Sequence, residues 1–69
     1  MSNEEVLYPE VEVNLVGQDG NAMFIIGRVQ RQLKRAGLRA QASKFTHDAV
    51  NSESYEDLLA LVLRTVTVV

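Results

Sequence analysis

Arg28, Arg31 and Arg35 fall at helical three-and-four spacing, so their side chains share one side of a helix. Guanidinium forks suit phosphate and carboxylate oxygens, which they grip bidentately. Phe24 opens the same stripe, and Lys34 and Arg39 lie near it. An ordinary solvated helix face mixes both signs of charge, yet from Gly20 through His47 the chain carries no aspartate or glutamate. Binding of an anionic group is the chemistry this span suggests.

A second candidate is the stretch Gly17-Gln18-Asp19-Gly20-Asn21-Ala22, where a strand pattern stops and a helix pattern begins. Free backbone amides and a positive dipole end there suit an anion. The spacing lacks the third glycine of a dinucleotide fingerprint and the lysine of a phosphate-binding loop. Asp19 would also repel an anion, so the turn reads chiefly as a helix cap supplied by Asp19 or Asn21. The candidate ligand-binding set is Arg28, Arg31 and Arg35, with Gly20 and Asn21 in a supporting role.

Catalytic groups are harder to find. His47 and Asp48 are adjacent on a helix and do not face each other, and Lys44 stands a turn away without a nucleophile. Ser43, Thr46 and Ser54 have hydroxyls but no partner base. Glu56 and Asp57 read as negative charge favouring a helix start. With no cysteine and one histidine, thiolate and multi-histidine metal sites within one chain are excluded. The expectation is a non-catalytic protein without metal or cofactor.

The elements that position the arginines follow from periodicity. Residues 1–9 read as a loose lead-in ending at Pro9, and residues 10–69 as a single small domain. From Glu10 to Val16, Val11, Val13 and Leu15 alternate with Glu10, Glu12 and Asn14, which predicts a half-buried strand. Its unpaired ladder groups require a second strand, from another copy of the chain or from the tail Thr65-Val66-Thr67-Val68-Val69.

Ala22, Ile25, Ile26, Val29, Leu33 and Ala36 form the buried stripe of a first helix, closed by Gly37 as a left-handed cap. Gly27 costs that helix roughly 1 kcal/mol relative to alanine, which suggests close approach of the strand's backbone or of a second copy's helix. Leu38, Ala42, Phe45 and Ala49 define a second helix from about residue 40 to 50. Ser54 and Asp57 resemble a capping box opening a third helix near Tyr55. That helix is apolar nearly all round, with Leu61, Leu63 and Val68 outside the stripe of Tyr55, Leu58, Leu59, Val62 and Val66, so it is expected to be buried from more than one side. It should end near residue 64 and leave an extended tail. The predicted fold is α+β, one N-terminal strand followed by three helices.

Sixty-nine residues support a thin core, and without disulfides or metal the remaining stabiliser is association, so a homo-oligomer is expected. No apolar run is long enough to cross a membrane, and the acidic start lacks the pattern of a signal peptide, which points to the cytoplasm. Net charge is -2, yet five of the seven bases lie between residues 28 and 39, while four of the nine acids lie in the first twelve residues. Such asymmetry fits an anionic partner or the acidic N-terminal region of a neighbouring copy. Nucleic acid is the weaker candidate, because five bases and one aromatic make few contacts unless a symmetric dimer doubles them.

Leu15-Val16-Gly17-Gln18-Asp19-Gly20-Asn21-Ala22, Gly27-Arg28-Val29, Arg35-Ala36-Gly37 and Tyr55-Glu56-Asp57-Leu58-Leu59 stand in an order that resembles a group of short proteins of unknown function in phage, prophage and bacterial genomes. The resemblance covers roughly residues 11–64. The group tends to end in an aromatic and acidic strand-like segment after the third helix, whereas Val66 to Val69 are apolar and uncharged. The resemblance implies a phage-related protein acting in the host cytoplasm, where small oligomers sequester a host protein or a small signalling nucleotide. The expected function is binding of a phosphate-bearing, nucleotide-like small ligand. The alternative is a regulatory module that binds an acidic protein surface, or DNA as a symmetric dimer.

Overall fold

The structure, a computed structural model, describes residues 6–15 and 21–69. Its elements in chain order are β1 (Tyr8–Val13), α1 (Ala22–Arg35), α2 (Arg39–Val50), α3 (Tyr55–Thr65) and β2 (Val66–Val68). The strands pair in parallel, so the three helices together make the crossover that a parallel pair requires. The expected α+β fold is present, and the C-terminal tail completes the sheet.

β1 lies two residues earlier than the predicted strand and ends at Val13 rather than Val16. Its limits are set by what it pairs with. Leu7 N–H donates to the Arg64 carbonyl at 2.8 Å before the sheet, and Val69 N–H donates to the Val13 carbonyl at 2.9 Å at its far end. Tyr8 and Pro9, assigned from sequence to the lead-in, are strand residues. Pro9 cannot donate to a ladder, and it sits inside the irregular register between Tyr8 and Glu12, where prolines are tolerated. Its carbonyl accepts from Thr67 Oγ1 at 2.8 Å.

The alternation was legible: Val11 and Val13 are buried, Leu15 packs on the core edge, and Glu10 and Glu12 are exposed. Val11 and Val13 share one cluster with Ile25, Ile26, Val29 and Leu33 of α1, Ala42, Phe45 and Ala49 of α2, Leu58 and Val62 of α3, and Val66 of β2. Ala36 departs from the predicted stripe; it follows the last residue of α1 and is exposed.

Each helix end has a local cause. The Asn21 side-chain oxygen accepts from Phe24 N–H at 3.2 Å, which makes Asn21 the N-cap of α1. Gly37 adopts φ +84°, with Gly37 N–H on the Lys34 carbonyl at 3.0 Å and Leu38 N–H on the Leu33 carbonyl at 2.9 Å. This is a Schellman closure, and Leu38 packs against the core that holds Leu33. Ser54 Oγ accepts from Asp57 N–H at 3.0 Å to start α3, with Glu56 and Asp57 in its first turn. Among the described residues no helix is long and apolar enough to cross a membrane.

Candidate functional site

α1 carries the site because its two faces are chemically opposite. Ile25, Ile26, Val29 and Leu33 anchor one face in the core, and the three-and-four spacing then directs Phe24, Arg28, Arg31 and Arg35 outward. The N-cap at Asn21 and the closure at Gly37 fix the register of that outward face at both ends. Lys34 and Arg35 lie in the last turn, where the helix dipole favours positive charge.

All three arginines are exposed, and none makes an ion pair with another described residue. The described ion pair is elsewhere, on α2, between Lys44 Nζ and Asp48 Oδ2 at 3.2 Å. It joins two residues of the rejected acid-base group and holds them on the solvent side, while the neighbouring His47 is exposed.

Gly27 gives the face its relief. Together with Met23, Phe24, Arg28, Arg31, Gln32 and Arg35 it lines a shallow depression of about 320 Å³. A Cβ built on Gly27 would meet nothing within 4 Å, so the strand's backbone does not approach it, contrary to one of the two explanations offered by the sequence. Within the chain, Gly27 leaves a dent along the side of the arginine stripe that faces Met23. Phe24 stands 60% exposed at its rim, with Met23 71% exposed beside it. The depression therefore offers an aromatic surface at one end and guanidinium groups along the rest, a combination suited to a planar or apolar group bearing an anion.

Of the five residues selected from sequence, the structure brings Arg28, Arg31 and Arg35 together along one depression. Asn21 stands at the start of the same helix, with its side-chain oxygen occupied as a cap. Gly20 lies outside the described residues.

A second cleft escaped the sequence reading. It measures about 310 Å³ and lies where the start of α1, the end of α2 and the start of α3 meet, lined by Ala22, Met23, Ile26, Ala49, Val50, Ser52, Glu53, Ser54, Tyr55 and Leu58. Its walls are mostly apolar, and Met23 belongs to both depressions. The available signal was that Met23 and Val50 are large apolar residues outside either helix's buried stripe. Periodicity within single helices says nothing about how three helix ends meet. The chain matches no protein-family model, no curated protein and no solved structure, so the residues themselves carry the functional reading.

Proposed function

We propose that this chain is a non-catalytic, phage-type binding protein that holds a phosphate-bearing, nucleotide-like small ligand on the outward face of α1, working as a homo-oligomer in the host cytoplasm. The observation that carries the reading is the set Arg28, Arg31 and Arg35, exposed and without ion pairs to other described residues around a dent rimmed by Phe24. Exposed arginines on mixed-charge faces are commonly paired with acids one turn away, and α1 itself offers none. The guanidinium groups supply the phosphate contacts and Phe24 supplies a stacking surface for a base. Neither role requires a proton transfer, consistent with binding rather than turnover.

Calorimetric titration against mono-, di- and cyclic nucleotides tests this, with Arg28→Ala and Arg31→Ala as controls. Saturable binding that both substitutions weaken at least tenfold is the expected outcome. A flat response across the panel removes the reading. A DNA mobility shift that weakens steeply with salt would favour the regulatory alternative in its place.

A further inference from the structure

We infer that the exposed face of β1 docks on the outward face of α1 of a second copy of this chain, joining copies head to tail. Parallel sheets are found almost exclusively with both faces covered. This two-stranded parallel sheet has helices on one face, through the cluster that Val11, Val13 and Val66 share with α1, α2 and α3. On the other side Glu10 and Glu12 are exposed. A cover for that side must accept two carboxylates.

The chain owns a matching surface. Alternate residues of a strand stand roughly 7 Å apart on one face, and residues three or four apart on a helix have Cβ atoms about 5–6 Å apart. Arg28 and Arg31 therefore match the spacing of Glu10 and Glu12 within the reach of their long side chains. The dent at Gly27 lets the strand settle between Phe24 and Arg31. α1 cannot cover its own sheet in this way, because its opposite face is already buried against the inner side. A second copy can. Since the two surfaces differ, the contact is heterologous and closes into a ring or grows, according to the rotation between copies.

Glu–Glu repulsion disfavours the symmetric pairing of one β1 with another, and Arg–Arg repulsion disfavours α1 on α1. The acid-on-base arrangement is the one that satisfies both surfaces. It uses the same depression and guanidinium groups as the small-ligand proposal, so on any one α1 face a phosphate-bearing ligand and β1 of a second copy exclude each other; the light-scattering test is run without nucleotide and does not depend on that proposal.

Light scattering on the full chain tests the docking, first in about 0.1 M and then in about 1 M salt, where screening shortens from about 10 Å to about 3 Å. The wild type should be an assembly at low salt and lose mass toward the monomer at high salt. E10Q/E12Q and R28Q/R31Q should each be monomeric at low salt, since each lacks one surface. Mixed together they should form a 1:1 dimer that grows no further, because each contributes its intact surface once. All four positions are exposed, and far-ultraviolet circular dichroism verifies that each variant is folded; R31Q/R35Q replaces R28Q/R31Q if the latter is not. A wild-type monomer at low salt, assembly unaffected by either pair, or a mixture that stays monomeric would each overturn the docking.

Discussion

Gln30 and Thr46 tie α1 to α2 behind the arginine face: Gln30 Nε2 donates to Thr46 Oγ1 at 2.8 Å, and that hydroxyl donates to the Ala42 carbonyl at 2.9 Å. The bond is partly buried and spans the interface between the first two helices, so it helps set the angle at which α1 presents its outward side. Thr46→Val keeps the shape and removes the hydroxyl. The expected loss is about 1 kcal/mol, with the half-buried Gln30 amide partly recovering water. Urea denaturation measures this, and an unchanged midpoint would show that the bond contributes nothing to holding the two helices.

Gly27→Ala should raise stability by about 1 kcal/mol, since the position is mid-helix and an added Cβ meets nothing within 4 Å. The same change partly fills the dent, so any ligand or partner seated there should bind less well as the fold becomes more stable. Stability and binding moving in opposite directions would separate this glycine's function from its structural cost. A destabilised variant would contradict the open surroundings of Gly27.

Asn21 serves the helix start directly, and its cap can be separated from any ligand role. Asn21→Ala should cost about 1 kcal/mol by freeing the Phe24 amide, whereas Asn21→Asp should hold stability because aspartate caps as well. Asn21→Asp also places a negative charge two turns before Arg28 and should weaken anion binding. Thermal melts with and without a nucleotide compare the two effects in one experiment.

Much of this architecture was legible from sequence because local rules determined it. Alternation at Val11 and Val13, three-and-four spacing at Ile25, Ile26, Val29 and Leu33, and the caps at Asn21, Gly37 and Ser54 each act over a few residues. The limits of β1 were not legible, because Leu7 and Val13 meet Arg64 and Val69 from the far end of the chain. Gly27 was half legible for a related reason: a helical glycine signals missing bulk, and of the two neighbours the sequence suggested, the strand's backbone does not approach it within the chain. The predicted burial of α3 from more than one side is incomplete in the single chain. Leu58 and Val62 are buried, while Leu63 remains 57% exposed. The arginine stripe was legible as a line of charges, and its dent and aromatic rim were not.

Removing residues 66–69 should abolish cooperative unfolding. β2 supplies the pairing partner of β1, and a lone strand leaves its ladder groups without protein partners while exposing Val11 and Val13. Calorimetry should show a broad, low-enthalpy transition for the truncated chain. A sharp transition near the full-length midpoint would mean that the helices are self-sufficient and that the sheet is dispensable.

The central claim is that the outward face of α1 receives an anionic ligand, and amide spectra of the ¹⁵N-labelled protein test it most directly. Addition of the tightest-binding nucleotide from the panel should shift the signals of Phe24, Gly27, Arg28, Arg31 and Arg35, with reversal in about 1 M salt. Shifts confined to Val50, Ser54 and Tyr55 around the apolar cleft, or no shifts with any nucleotide, would contradict it.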